Sequence, residues 1–152
     1  MLPFYNLTRE DILDIHTQIL AESNELERDG ILNENNLLNA IESPHIKVYG
    51  QEIYPDPISK IGTFMFEMIT LHPFIEGNKR TGLMCADTLM VLNYGVITAS
   101  DRQRKNVALR LAKNIMTREN LIRWLRRSHV HMPSIKKRIE LNISLTEGRG
   151  RS

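Results

Sequence analysis

The chain has 152 residues, an ordinary apolar fraction of 41% and a net charge of +2. This length supports one folded domain with a real core. No apolar run reaches the roughly 18 residues that a membrane-spanning helix needs, and the first residues lack the pattern of a secretory signal, so we expect a cytoplasmic protein. Cys85 is the only cysteine, which excludes a disulfide scaffold and favours a small core residue over a nucleophile.

The charge is divided unevenly along the chain. Residues 1–100 carry 6 Lys or Arg and 14 Asp or Glu, a net charge of −8. Residues 101–152 carry 14 and 4, a net charge of +10. A basic segment of this kind can bind nucleic acid or an acidic partner protein, although most such segments are solvated helix surfaces. Nucleic-acid binding through residues 101–152 is therefore kept as a minor alternative.

Apolar spacing and capping residues predict helices at both ends of the chain. Thr8 caps a helix that runs to about residue 22. Ser100 and Gln103 form a capping box for a later helix, Thr117 caps another, and Pro133 opens a last one. The helix capped by Thr8 has an apolar face of Ile12, Ile15 and Ile19. The corresponding faces are Val107, Leu111 and Ile115 in the helix capped by Ser100, and Leu121, Trp124 and Leu125 in the helix capped by Thr117.

Two central helices are predicted on either side of a short loop. The first runs from Asp56 to Leu71, because apolar residues recur there at spacings of three and four. Pro73 is incompatible with continuing this helix and restricts the residue before it, so the chain leaves the helix at His72. The second helix has Asn78 as its N-cap and Gly95 as its stop signal. At least one of the two apolar residues at positions 74 and 75 should anchor the loop in the core.

The loop and the start of the second helix hold the residues that phosphate chemistry needs. A helix N-terminus attracts anions, Gly77 allows close backbone approach, and Lys79 and Arg80 add two cations. Glu76 is a hard oxygen ligand for Mg²⁺ shared with nucleotide phosphates. His72 can take a proton from a hydroxyl nucleophile. Taken singly, these residues also fit a helix cap, a turn and a solvated surface, and spacing alone leaves both interpretations open.

Residues 72–80 read His-Pro-Phe-Ile-Glu-Gly-Asn-Lys-Arg. This string resembles, without a gap, the signature of the Fic/Doc family, His-x-Phe-x-(Asp/Glu)-(Gly/Ala)-Asn-(Gly/Lys)-Arg. The stretches Gly30–Leu32, Asn36–Ile41 and Ile53–Asp56 also resemble Doc-like proteins, so the likeness covers about residues 5–97.

The resemblance implies a fold. The Fic fold is an all-α, single-domain helical bundle with a small β-hairpin flap, which aligns an extended segment of the target protein by strand addition. Here the flap would be Ser43–Ile53, where a plain loop is the alternative. Residues 1–142 would form the domain and residues 143–152 a flexible tail.

The resemblance also assigns roles by position. His72 matches the catalytic base and Glu76 the metal-binding acid. Lys79 and Arg80 match the cations that act in catalysis. The implied nucleotide-binding set consists of Phe74, Gly77, Asn78, Lys79, Arg80 and Thr81. The implied cofactors are ATP and Mg²⁺.

Two positions bear on which group is transferred. Family members that transfer a nucleoside monophosphate usually have glycine after the Asn and a second arginine further on, whereas this chain has Lys79 and Leu83. Lys-Arg-Thr is the form of the Doc toxins, which implies a kinase that moves the ATP γ-phosphate onto elongation factor Tu and stops translation. Gly77 and Glu76 instead match the nucleotidyl-transferring class, so AMPylation of a target hydroxyl stays open. An inactive binding module is a third alternative.

The family is often held inactive by a helix with the pattern (Ser/Thr)-x-x-x-Glu-(Gly/Asn). Ser23 and Glu27 have this spacing, but Arg28 follows. Glu147 is followed by glycine, but Ile143 stands where Ser or Thr is needed. We therefore expect control by a separate antitoxin protein, as the resemblance to Doc implies.

Overall fold

The computed structural model describes residues 3–131, and the predicted helix at Pro133 and the predicted tail at 143–152 lie outside this range. The helices of this part are α1 (Arg9–Glu22), α2 (Glu34–Glu42), α3 (Pro57–Leu71), α4 (Asn78–Leu92), α5 (Asp101–Ala112) and α6 (Arg118–Arg127). Two 3₁₀ turns span Leu26–Arg28 and Ser43–His45. The strands are β1 (Lys47–Val48), β2 (Gln51–Glu52), β3 (Gly95–Ile97) and β4 (His129–His131). The predicted helical fold with a hairpin flap is confirmed.

Helix α3 is the centre of the bundle. It is apolar on most of its circumference, as a helix surrounded by others must be, and α2, α4 and α6 all pack against it. At Gly82 of α4, a β-carbon would lie only 2.6 Å from Ile69 Cγ1 of α3. The two helices therefore cross at a distance that leaves no room for a larger residue. No helix in the described part combines the length and hydrophobicity that crossing a membrane requires.

The predicted helix caps are largely confirmed. Thr8 accepts from the Asp11 N–H in a reciprocal capping box, and Ser100 and Gln103 form the same arrangement at the start of α5. One predicted core residue is wrong. Ile115 lies beyond α5 and is largely exposed, because Asn114 adopts a left-handed conformation with a φ of 60°, and the helix has ended before it.

Two small antiparallel sheets accompany the helices within residues 3–131. In the flap, Tyr49 and Gly50 have φ angles of 50° and 77°, as a two-residue turn of type I′ requires. The second sheet was not predicted: β3 pairs with β4, with Val96 opposite Val130. Gly95 is therefore not the stop signal of α4. The helix ends at Leu92 and Gly95 opens β3.

The predicted position of the cysteine is confirmed. Cys85 is fully buried in α4, and this burial raises the pKa of its thiol to about 12. The thiol is therefore protonated at neutral pH, which suits a core residue and not a nucleophile.

Candidate active site

The segment that joins α3 to α4, residues 72–77, is called the central loop below. His72 leaves α3 in the left-handed conformation, with φ 51° and ψ 62°. Gly77 precedes α4 with a φ of 83° and is its N-cap. The prediction of Asn78 as N-cap is therefore wrong. Asn78 is the first helical residue, and its side chain closes the loop instead: Oδ1 accepts from the Phe74 N–H and Nδ2 donates to the Phe74 carbonyl, both at 2.9 Å.

The central loop is paired with the α1–α2 connection, residues 23–33. The backbone N–H groups of Leu32 and Asn33 donate to the Pro73 carbonyl at 2.7 and 3.1 Å, and the Ile75 N–H donates to the Gly30 carbonyl at 3.1 Å. These bonds make a short antiparallel bridge. These bonds fix the backbone of the loop at Pro73 and Ile75 against the α1–α2 connection.

Phe74 anchors the central loop in the core. Its side chain is 1% exposed, as predicted for at least one of the two apolar loop residues, whereas Ile75 is 54% exposed. The Phe74 ring stacks on the ring of His16, with centroids 3.8 Å apart and planes inclined by 11°. Sequence reasoning missed His16, although it lies one helical turn after Ile12 on the apolar face of α1.

His72 is exposed at the edge of the loop. Its Nδ1 lies 3.1 Å from the Thr70 carbonyl oxygen. Since a carbonyl only accepts, this contact places a proton on Nδ1 and leaves the Nε2 lone pair unprotonated in the neutral ring. The ring can then accept a proton at Nε2, as a general base must.

Arg80 is half-exposed and already has partners in the α1–α2 connection. Its Nη1 donates to Ser23 Oγ at 2.8 Å and to Glu25 Oε1 at 3.1 Å. The Ser23 hydroxyl, followed by the Arg80 guanidinium, holds the pKa of the Glu25 carboxyl below its ordinary value. Arg80 therefore forms an ion pair with Glu25 of the α1–α2 connection.

Glu76 lies close to a basic residue, whereas Lys79 extends into solvent. The Glu76 carboxylate is 3.4 Å from Arg28 Nη1 and is half-exposed. Lys79 is exposed and makes no ion pair with any residue in the described part of the chain. Two of the three charged groups of the site therefore contact the α1–α2 connection, and the third extends into solvent.

Residues 6–90, more than half of the chain, match the family model described as the Fic/DOC family. This chain belongs to the Fic/DOC family. The matched range includes the whole central loop and most of α4, and the helical architecture fits a Fic-type domain. No curated protein matches the chain. Family membership supports a protein-modifying transferase that uses a nucleotide and a metal ion.

Within this Fic/DOC domain, the predicted site residues fall into two groups. The exposed or half-exposed ones are His72, Glu76, Lys79 and Arg80. The buried ones are Phe74, Gly77, Asn78 and Thr81. From its buried position Phe74 supports the loop from below. Thr81 is fully buried and its hydroxyl has no hydrogen-bond partner among residues 3–131, so it does not reach the surface where a phosphate would bind.

The side chains present fit a magnesium ion that is shared with a nucleotide. No three His, Cys, Asp or Glu side chains between residues 3 and 131 are grouped to hold a metal by themselves. Mg²⁺ keeps several waters and is usually bound through one or two carboxylates together with substrate phosphates. Glu76 can supply the carboxylate, provided that Arg28 moves aside.

A cavity of about 390 Å³ opens beside Arg80, between α1, α4 and α5. Leu83, which stands where the nucleotidyl-transferring members have their second arginine, lines its wall together with Ile19 and Met84. The α4 residues that line this cavity next to Arg80 are therefore apolar, whereas Asp87, one turn further along the helix, is charged.

The flap is fastened by a buried lysine that sequence reasoning also missed. Lys60 of α3 is only 4% exposed. Its Nζ donates to the Pro44 carbonyl at 3.3 Å, to Glu52 Oε1 at 3.0 Å and to the Tyr54 carbonyl at 2.5 Å. One side chain thus holds the start of the flap, its second strand and the residue that follows the flap.

Part of the basic C-terminal third serves the fold. Arg104 pairs with Asp87, Arg118 with Glu67 and Arg126 with Asp56. These pairs join α5 to α4 and α6 to α3, so their positive charges are compensated within the domain. Nucleic-acid binding by this third stays an untested prediction.

Proposed function

We propose that this chain is a Doc-like protein kinase, which transfers the γ-phosphate of ATP to a Ser or Thr hydroxyl of a target protein. The pair of residues at positions 79 and 83 carries the proposal. Lys79 replaces the glycine and Leu83 replaces the second arginine of the nucleotidyl-transferring class. A lysine side chain occupies the room where the α- and β-phosphates would otherwise lie, which favours a nucleotide orientation with the terminal phosphate towards the target hydroxyl.

The residues of the central loop and α4 suit this reaction. The target hydroxyl oxygen attacks the γ-phosphorus, its proton passes to His72 Nε2, and the bond to the ADP leaving group breaks. Lys79, Arg80 and the free N–H groups at the start of α4 stabilise the negative charge that develops. When bound at Glu76, Mg²⁺ neutralises phosphate charge and orients the phosphates.

The flap is the proposed contact for the protein substrate. Its strands are exposed on both sides of the turn, and Tyr49 at the tip is fully exposed. An open strand edge can add an extended segment of a partner by backbone hydrogen bonds. We propose elongation factor Tu as the target, with arrest of translation as the result. Control by a separate antitoxin and a cytoplasmic location are parts of the same proposal.

AMPylation is the second candidate function, and Gly77 favours it. At a φ of 83°, this residue adopts a conformation in which glycine is unstrained, and glycine is the form found in the nucleotidyl-transferring class. In that reaction the target hydroxyl would attack the α-phosphorus and pyrophosphate would leave. His72 would accept the proton in either case.

The decisive experiment is the intact mass of elongation factor Tu after incubation with this protein, ATP and Mg²⁺. A His72→Ala variant is the control. A gain of one phosphate that the control lacks supports the kinase, and a gain of one AMP selects the second candidate. An unchanged mass with the active protein would contradict elongation factor Tu as the target. A cell extract is then incubated with the protein and either γ-labelled or α-labelled ATP. Label that enters protein from γ-labelled ATP alone supports the kinase, and label from α-labelled ATP supports AMPylation, without a chosen target.

A further inference from the structure

His16 lies directly beneath the central loop and takes no part in the steps proposed above. Its side chain is 1% exposed. Its Nε2 is 2.7 Å from the Glu76 carbonyl oxygen, and its Nδ1 is 3.1 Å from Asp29 Oδ1. Asp29 is itself held, because its Oδ2 accepts from Thr17 Oγ1 at 3.0 Å. A chain of three polar side chains therefore ends at one backbone carbonyl of the loop.

This carbonyl belongs to the peptide group that joins Glu76 to Gly77. In a trans peptide group the C=O and N–H bonds point in opposite directions, and there are no cis bonds in the described part of the chain. Because His16 draws the Glu76 carbonyl towards the core, the Gly77 N–H points away from the core. That N–H donates to no residue between positions 3 and 131, so it is available to an external acceptor.

The surroundings of this N–H suit an anion. Gly77 is the N-cap of α4, where the positive end of the helix dipole lies. A β-carbon at position 77 would be 3.3 Å from Leu20 Cδ2, 3.6 Å from His16 Nε2 and 3.7 Å from Arg80 Nη2, so the guanidinium lies close to this glycine. Backbone N–H groups that point outwards next to a cation bind phosphate oxygens well.

We propose that His16 is a positioning residue for the transfer reaction. By holding the Glu76 carbonyl inwards, it presents the Gly77 N–H to a phosphate oxygen of the nucleotide, and Asp29 holds the ring in place. The inference rests on the proposed function, since it concerns the nucleotide of that same site. It assigns His16 no contact with the substrate and no proton transfer.

Substitutions that keep one ring nitrogen at a time test this role. His16→Gln retains a donor near the position of Nε2, and His16→Asn retains one near Nδ1 only. We expect His16→Asn to weaken ADP binding and to lower the transfer rate by about tenfold or more, since small misplacements of a catalytic group cost this much. His16→Gln should recover most of both. The KM for the protein substrate should stay unchanged in the two variants.

A structural role alone would give a different result. If His16 only filled the core, both variants would lose activity in proportion to their loss of thermal stability, and glutamine would not restore ADP affinity. Asp29→Ala is a milder variant at a partly exposed position, with an expected loss of about threefold, because only the support of the ring is removed. Equal ADP affinity in the wild type and in all three variants would overturn the inference.

The Gly77 amide signal in NMR spectra separates this inference from the proposed function. It should shift on addition of ADP and Mg²⁺ to the wild type and to His16→Gln, but not to His16→Asn. If the wild type binds ADP in this way and yet transfers nothing, the proposed function fails while the inference stands. If ADP leaves the wild-type Gly77 signal unchanged, the inference fails, whatever group the protein transfers.

Discussion

The two segments that flank α3 are held in opposite ways. The flap before α3 is fastened at its base by Lys60, and its strands are exposed. The central loop after α3 is fastened along its length, by backbone bonds to the α1–α2 connection, by the Asn78 side chain and by the buried Phe74. The flap therefore has backbone groups that can still form hydrogen bonds with a partner, whereas most of those in the central loop are already used.

We infer from this difference that the flap recognises the protein substrate and that the central loop takes part in the transfer reaction. An exposed hairpin can adjust to an extended partner and pair with it. Charge stabilisation in a transition state needs groups that are fixed before the substrate arrives, because reorientation during the reaction costs free energy. We therefore expect substitutions at the flap base to alter the KM for the protein substrate, and substitutions under the central loop to alter nucleotide binding and the transfer rate.

The largest effect is expected from Asn78→Ala. It removes both hydrogen bonds to the Phe74 backbone and leaves two buried polar groups without partners, which should lower the free energy of unfolding by about 2 kcal/mol and the transfer rate by about 100-fold. Chemical denaturation and a transfer assay measure the two quantities. Asn78→Asp keeps the acceptor for the Phe74 N–H and should lose less. Full activity of Asn78→Ala would mean that the loop does not depend on this closure.

The next largest effect is expected from Lys60→Met, which fills the same space without the ammonium group. The two carbonyls and the Glu52 carboxylate then lose their donor, so the flap base should loosen. The KM for the protein substrate should rise by about tenfold, with ADP affinity unchanged, because the proposed role of the flap is to dock the protein substrate and not to bind phosphate. Lys47→Met, an exposed lysine on β1, is the matched control. A loss of ADP affinity in Lys60→Met would contradict the separation of the two segments.

A smaller effect is expected from Glu25→Gln, and it is a gain of ADP affinity instead of a loss of function. If Arg80 binds the nucleotide as proposed, Glu25 competes with phosphate for it, so removing the Glu25 charge should tighten ADP binding by about threefold. Glu27→Gln provides the control, since Glu27 is exposed two positions away and makes no ion pair with the described residues. Titration calorimetry with ADP and Mg²⁺ gives both affinities. Weaker binding in Glu25→Gln would indicate that Glu25 orients Arg80 for the phosphate.

The smallest effect is a loosening of the flap in acid. The hydrogen bond from Lys60 holds the pKa of the Glu52 carboxyl below its ordinary value. The contribution of this pair to flap stability is therefore complete above the ordinary glutamate pKa of about 4.3 and is lost as the pH falls through the lowered value. Exchange of the Ile53 amide, which donates to the Ile46 carbonyl, should be slower in the wild type than in Glu52→Gln at pH 7. The two rates should converge in acid.

The sequence predicts the features that depend on near neighbours. The Thr8 and Ser100 caps were predicted because each bond spans three residues. The exit of the chain at His72 follows from the proline beside it. The N-cap of α4 was assigned one position late, since an asparagine favours the cap in general but here its side chain is engaged by the Phe74 backbone.

The features that were missed join distant parts of the chain. The contact of His16 with Glu76 spans 60 residues, and that of Arg80 with Glu25 spans 55. His16 has the spacing of the apolar face of α1, but periodicity cannot indicate which distant segment that face covers. The burial of Lys60 was missed for a similar reason, because its three hydrogen-bond acceptors come together only when the flap folds back on α3. Strands β3 and β4 are too short and too far apart in sequence to be recognised separately.

The crossing at Gly82 has a consequence for how this domain can vary. His72 follows the last residue of α3 and the two cations lie in the first turn of α4, so the spacing between the proposed base and the proposed phosphate site depends on how closely the two helices pack. That spacing depends on the absence of a single methyl group, opposite Ile69. In a scan of all substitutions selected for activity, position 82 should tolerate almost as few residues as position 72, although it faces the core and meets no substrate.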